Sequence, residues 1–217
     1  MVTPLADTCV QASSPNSSEY GRLDYLKVQE TPSELSLAFL MFDLSGVAHN
    51  PNVSRETKLR LRSIYVSSPF RIGVRWCVNN TWNEDTSTFV DFSHFSRTAP
   101  ENIILVSSGN TWYEWTVTDT VRTAIQKNYE KITLALEAEE TSEGNFLAIF
   151  YSKDQQDLPL NEYSPYLVFT YNGSAGVSLD TTGKVIFGVL ATVGISFVAY
   201  RFLKKSAKKR RRSSSVK

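Results

Sequence analysis

Hydrophobic and polar positions alternate with a period of two along much of the first 170 or so residues. Lys58 to Val66 is the clearest run: Leu59 and Leu61 point one way, while Lys58, Arg60 and Arg62 point the other. That is the mark of a half-buried strand with a basic outer stripe. Ile72, Val74, Trp76 and Val78 form a second set, which puts Cys77 on the opposite face from Trp76. In Thr111 to Val117, Trp112, Glu114 and Thr116 alternate with Tyr113, Trp115 and Val117. Ile132, Leu134 and Leu136 make a further strand, as do Phe146, Ala148, Phe150 and Ser152. Glu34 to Leu44 differs: its later half is apolar at successive positions, so both of its faces are expected to be covered. Shorter strands are expected at Cys9–Gln11, Tyr25–Gln29, Ile103–Val106 and Tyr166–Tyr171. One stretch breaks the period. Val121, Ala124 and Ile125 stand at helical spacing within Thr120 to Lys127, behind Thr118-Asp119 as a cap. Asn79 to Thr86 reads as a loop, and the stretch from there to Pro100 as irregular. Roughly ten strands, one short helix and frequent turn signals predict an all-β fold, an antiparallel jelly-roll-like β-sandwich over residues 1–172.

A different pattern follows. Asn172-Gly-Ser-Ala-Gly opens a flexible linker expected over 173–184. Val185 to Leu203 then reads VIFGVLATVGISFVAYRFL, with no charge before Arg201. Nineteen helical residues cover about 28 Å, close to the hydrocarbon thickness of a bilayer. The expectation is one C-terminal transmembrane helix over 185–203, with Arg201 reaching back to the headgroups. Gly188, Thr192 and Ser196 recur four apart, a spacing that lets membrane helices pair and suggests a helix-mediated homodimer.

Charge gives this segment a direction. Nine of the chain's 23 basic residues follow Tyr200, and none of its 22 acidic ones does. The near-zero net charge of +1 therefore hides an acidic globular part and a basic tail, 204–217. A basic stretch beside a spanning helix stays cytoplasmic, where it can also meet anionic lipid. The β-sandwich is thus expected outside a cell membrane, and the Lys/Arg run is read as a topological signal rather than as a nucleic-acid site. Met1 to Asp7 lacks a basic n-region and an apolar h-region, so it is not a signal peptide. Either a leader precedes this chain or the C-terminal helix inserts unaided.

An outside location changes what other residues could do. Cys9 and Cys77 become candidates for one disulfide, with two separate thiols as the alternative. Asn16, Asn52, Asn79 and Asn172 each begin an Asn-x-Ser/Thr site in a turn-like context and become glycosylation candidates. Enzyme chemistry finds no foothold. His49 and His94 have no ligand partner at zinc-like spacing, and no nucleophile elbow, phosphate loop or dinucleotide fingerprint occurs. No metal ligand set is assigned; the oxygen-rich stretch Asp154 to Glu162 is the one place where a structural Ca²⁺ could sit. Sugars bind by aromatic stacking with planar polar groups, and acidic sugars add Lys or Arg. Trp112, Tyr113 and Tyr151 with Arg60, Arg62 and Arg75 are candidates for such a face. The alternative is that the tryptophans are core and the arginines a solvated surface.

The order of several short motifs resembles the DNRLRE domains, related to carbohydrate-binding module family 96. Ala6-Asp7-Thr8 is similar to their opening A-D-x-x-V, and Phe39-Leu-Met-Phe-Asp-Leu-Ser45-Gly46 to their L-x-F-D-L-S strand. Thr57-Lys-Leu-Arg-Leu-Arg62 resembles A-x-L-R-L, and Trp82-Asn-Glu84-Asp-Thr86 resembles W-T-E-x-T. Trp115-Thr-Val-Thr118-Asp119 with Val121 is similar to the F-D-V-T-x-x-V corner, without its Asp. Ser152-Lys153-Asp154 and Pro165 to Tyr171 resemble the closing S-R-E and P-x-L-x-V-x-Y. The resemblance covers about residues 5–172. It implies a jelly-roll sandwich carried by secreted or surface proteins, sometimes binding acidic polysaccharide. With the anchor, it points to a membrane-anchored, non-catalytic surface module binding carbohydrate or an envelope protein. The alternative is a structural or adhesion protein whose sandwich is a spacer or assembly unit.

Overall fold

The computed structural model describes residues 1–47, 56–139, 144–155, 162–170 and two short strands beyond them. The chain divides into two compact units, Met1–Asn172 and Gly173–Lys217. In the first, ten strands form one mostly antiparallel sheet, nearly closed and between a barrel and a sandwich in form. They are β1 (Pro4–Gln11), β2 (Tyr25–Thr31), β3 (Glu34–Asp43), β4 (Glu56–Val66) and β5 (Phe70–Cys77), then β6 (Asn102–Val106), β7 (Trp112–Thr116), β8 (Lys131–Ala138), β9 (Phe146–Tyr151) and β10 (Tyr166–Thr170). The hydrogen-bonded path runs β10-β4-β9-β2-β3-β8-β5-β6, with β1 added on β3 and β7 on β4.

The long strand β4 makes this closure. Its first part, Glu56 to Arg62, pairs with β10 and β7. Its last part, Ser63 to Val66, pairs with β9, with an irregularity between Ser63 and Tyr65. A strand that changes partners at such a break turns a sheet corner. β10, β4 and β7 therefore make one layer, facing the larger layer of β1, β2, β3, β5, β6, β8 and β9.

The main core lies between the layers. Leu59, Leu61 and Trp115 from the small layer meet Leu40, Phe42, Ile72, Leu134 and Phe150 from the large one. Trp115 is fully buried, and its indole N–H donates to the Ile72 carbonyl at 2.9 Å. A second cluster covers the outer face of the large layer: Val10, Phe39, Met41, Cys77 and Ala135 lie beneath Trp82 and Phe92. This is why β3 is apolar on both faces, as its sequence indicates. The roof comes from residues 79–100, read from sequence as a loop to Thr86 and an irregular stretch to Pro100. They hold a five-residue helix, α1 (Phe89–Ser93), whose Thr88 and Asp91 form a reciprocal capping box. Phe92 of α1 stacks on Phe39 at 4.0 Å, and the Trp82 indole donates to the Thr133 hydroxyl at 3.0 Å.

The predicted helix is present as α2 (Thr118–Gln126). Its cap differs from expectation. No side chain of its own start caps it; the Glu101 carboxylate accepts from the Asp119 and Thr120 amides at 2.7 and 2.9 Å. A charge at that end also suits the helix dipole.

In the second unit, β11 (Ser178–Leu179) and β12 (Val185–Ile186) pair antiparallel. The first two residues of the expected membrane helix are therefore extended, and 187–203 lies outside the described residues, as does the tail 204–217. No helix among the described residues is long and apolar enough to cross a membrane.

Trp115→Ala removes a buried ring and a buried hydrogen bond. It should cost the first unit roughly 3–5 kcal/mol. Trp112→Ala, on the outer side of the same strand, should cost about 1 kcal/mol. Urea unfolding midpoints of the two variants check the contrast.

Candidate functional site

Alternation along β4 decides what faces outward from the small layer. Thr57, Leu59, Leu61 and Ser63 are buried, so Lys58, Arg60 and Arg62 stand on the outside. Register then fixes their neighbours. Arg60 lies opposite Tyr166 on β10 and Glu114 on β7, and Arg62 lies opposite Trp112. The Arg60 Nε is 2.9 Å from Glu114 Oε1, and its Nη1 donates to the Tyr166 hydroxyl at 2.6 Å. Its guanidinium carbon is 5.2 Å from the Trp112 ring centre and 5.4 Å from that of Tyr166. Those rings meet edge to face at 5.5 Å. Lys58 Nζ lies 3.1 Å from Glu114 Oε2 and 3.6 Å from Glu56. Beside this group, the Arg62 guanidinium packs 3.8 Å from the Tyr163 ring centre, and Tyr163 lies 5.1 Å from Tyr151.

The result is a continuous half-buried face of four aromatic rings, two guanidiniums, one ammonium and one bridging carboxylate. Rings offer the CH faces of a sugar a stacking surface, and guanidiniums offer planar paired donors. Four of the six sequence candidates meet here: Arg60, Arg62, Trp112 and Tyr151. Two do not. Tyr113 faces inward beside Trp115 and Phe150, and its hydroxyl accepts from the Ser107 and Ser108 amides at 2.9 and 2.8 Å. Arg75 lies on the large layer, 2.8 Å from Glu137 and 2.6 Å from Glu139; Arg97 shares Glu137 with it. Tyr163, Tyr166 and Glu114 belong to the face and were not singled out from sequence. Tyr166 was within reach, since it opposes the inward Leu167 and Phe169; Tyr163 sits in a loop without periodicity.

A second polar cluster gathers residues distant in sequence. Asp7 is buried on β1. Its carboxylate accepts from the Ser152 hydroxyl and the Lys153 amide, both at 2.8 Å. The Lys153 ammonium lies 3.0 Å from Glu84 and 2.7 Å from Asp154. One oxygen from each of Asp7, Glu84 and Asp154 falls within 4.8 Å of the others. Burial pushes the Asp7 carboxyl up to about 7, against the opposing pull of the Lys153 amide, the Ser152 hydroxyl and the Lys153 charge. Burial also disfavours the Lys153 ammonium. Hydrogen bonds to Asp154 and Glu84, with the charges of Asp7 and Asp154, outweigh it and hold Lys153 above the ordinary lysine value.

A family model matches residues 1–171, and it is that of carbohydrate-binding module family 96. The chain belongs to this family. No curated protein matches it. In this family 96 module three of the recognised motifs turn out to be fasteners. Ala6-Asp7, Trp82-Asn-Glu84 and Ser152-Lys-Asp154 all converge on the Asp7 cluster.

The remaining candidates fall elsewhere in the module. Cys9 and Cys77 are free, buried thiols. Cys9 pairs across from Ala38 of the inner core, whereas Cys77 belongs to the outer cluster, so the two lie on opposite faces of the layer and the candidate bridge is not formed. Asn16 is exposed; the Asn79 side-chain oxygen accepts from the Thr81 amide and hydroxyl at 2.8 and 2.9 Å. Asn52 and Asn172 lie outside the described residues, as does 156–161, the centre of the oxygen-rich stretch. Asp154, at its start, is engaged by Lys153.

The Asp7 shift has a definite pH signature. Unfolded, an Asp titrates near 3.8; folded, Asp7 holds its proton to about 7. Folding therefore takes up a proton between those values, and stability falls as pH rises through that window, by an amount on the order of a few kcal/mol. Asp7→Asn should flatten this slope, since the amide, like the protonated acid, is neutral at every pH in the window and offers one carbonyl acceptor to the Ser152 and Lys153 donors. Thermal unfolding from pH 4 to 8 for both proteins checks it.

Proposed function

We propose that this family 96 module is a non-catalytic carbohydrate-binding unit of the cell surface. Its ligand is a polysaccharide, with acidic polymers favoured, and it binds the outer face of β10, β4 and β7. The observation that carries this reading is the half-buried arrangement of Trp112, Tyr166, Tyr163 and Tyr151 around Arg60 and Arg62. Family membership supports carbohydrate as the ligand class. The apolar stretch 185–203 and the basic tail support a single-pass anchor with the module outside.

Affinity electrophoresis of the detergent-solubilised chain, in gels holding polyuronate or neutral glucan, tests the binding. The wild type should be retarded, most by polyuronate. Trp112→Ala should lose about tenfold in affinity, the equivalent of 1.4 kcal/mol. Tyr113→Phe, inside the core, should not change it. Absence of retardation in every gel, with self-association instead, would favour a spacer or assembly role.

The topology has its own check. Protease added to intact cells should remove an epitope in residues 1–172 and spare one in the tail; the reverse pattern would refute the anchored surface arrangement.

A further inference from the structure

Glu114 stands between Arg60 and Lys58 on a face where cations outnumber acids, and there it works against binding an anion. Its two oxygens are divided: Oε1 takes Arg60 Nε at 2.9 Å and Oε2 takes Lys58 Nζ at 3.1 Å. Arg60 is further committed by its 2.6 Å hydrogen bond to Tyr166 and its place between the Trp112 and Tyr166 rings. Lys58 also reaches Glu56. Both cations are thus neutralised within the protein.

Arg62 differs. Its guanidinium lies 3.8 Å from the Tyr163 ring centre, and among the described residues no carboxylate pairs with it. Its Nε, like that of Arg60, is buried without a hydrogen-bond partner, so what separates the two is the carboxylate that pairs with Arg60. A stacked guanidinium is held in one plane, and its paired N–H groups fit a planar or tripodal oxyanion in a way that a lysine cannot.

We infer that Glu114 is a specificity-determining residue: it quenches Arg60 and Lys58, so that Arg62 alone receives the anionic group of the sugar. The inference rests on the carbohydrate-binding reading above and deepens it. Arg60 is then a positioning residue that orients Trp112 and Tyr166 for stacking, and Arg62 touches the ligand. One charged contact flanked by rings selects a chain with one anionic group per bound stretch, a carboxylate or a sulfate ester, over a densely charged polyanion.

The test measures binding of the detergent-solubilised full chain to polygalacturonate, a sulfated galactan and a neutral mixed-linkage glucan, each at low and moderate salt. The first two polymers distinguish carboxylate from sulfate. Glu114→Gln should tighten binding to the preferred anionic polymer several-fold and steepen its salt dependence, because Arg60 loses its carboxylate and Lys58 keeps only Glu56 at 3.6 Å. Arg62→Lys should weaken it about tenfold, the loss expected when a paired charge-assisted contact becomes a point charge. Arg75→Lys, in the other layer, serves as the unchanged control. Unfolding curves accompany each variant; should Glu114→Gln not fold, Glu114→Asp, too short to span both cations, replaces it. The inference is overturned if Glu114→Gln alters neither affinity nor salt dependence, or if Arg62→Lys binds as the wild type does. Binding to the neutral glucan alone overturns it and leaves the carbohydrate reading standing. Binding to none of the three removes both.

Discussion

Strict alternation along β4 is the constraint on which the rest of the first unit depends. Its inward residues, Thr57, Leu59, Leu61 and Ser63, complete the core against the large layer, and its outward ones build the basic face. A slip of one residue would bury Lys58, Arg60 and Arg62, and charges buried without partners cost far more than a lost packing contact. Ser63 fixes where the strand turns the corner. Its hydroxyl donates toward the Ser108 and Thr111 carbonyls at 2.8 and 3.1 Å and accepts from the Thr111 amide at 3.1 Å. Core and surface are thus set by one register, and neither can change without the other.

The charged groups on the two layers are balanced differently. On the large layer, Arg75 and Arg97 meet Glu137 and Glu139, two guanidiniums for two carboxylates, half-buried and ion-paired. Gly73 is part of that arrangement, since a Cβ there would come within 2.2 Å of the Glu139 carboxylate. On the small layer, cations outnumber the acids that touch them. Partly exposed ion pairs contribute little to stability. Their value on this face is to hold aromatic rings at fixed angles around a guanidinium.

Much of this was readable in the chain before its structure, and the rest was hidden for definite reasons. Period two located the strands and the doubly covered β3, because burial on one or both faces writes itself directly into residue order. The same parity separates Tyr113, which travels with the buried Trp115 and Val117, from the outward Trp112. Arg75 has the outward parity expected of it and still misses the site, because alternation says nothing about which strands become neighbours. Tyr163 lies in a loop, where no periodicity acts. The helix α1 is too short to show helical spacing, although Thr88-x-x-Asp91 carries the capping signal. The Asp7 cluster was visible only as three separate motifs. Their convergence depends on pairings across almost the whole unit.

That long reach governs how the unit forms. Asp7 bonds to Ser152 and Lys153, and Val2 exchanges backbone hydrogen bonds with Leu167. Neither contact can exist until nearly all of the unit has left the ribosome. Closing so large a loop is entropically costly and raises contact order, which slows folding. Asp7 meets its partners in Ser152 and Lys153, 145 and 146 residues further along the chain, so the first strand is fastened only when the last part of the unit is in place.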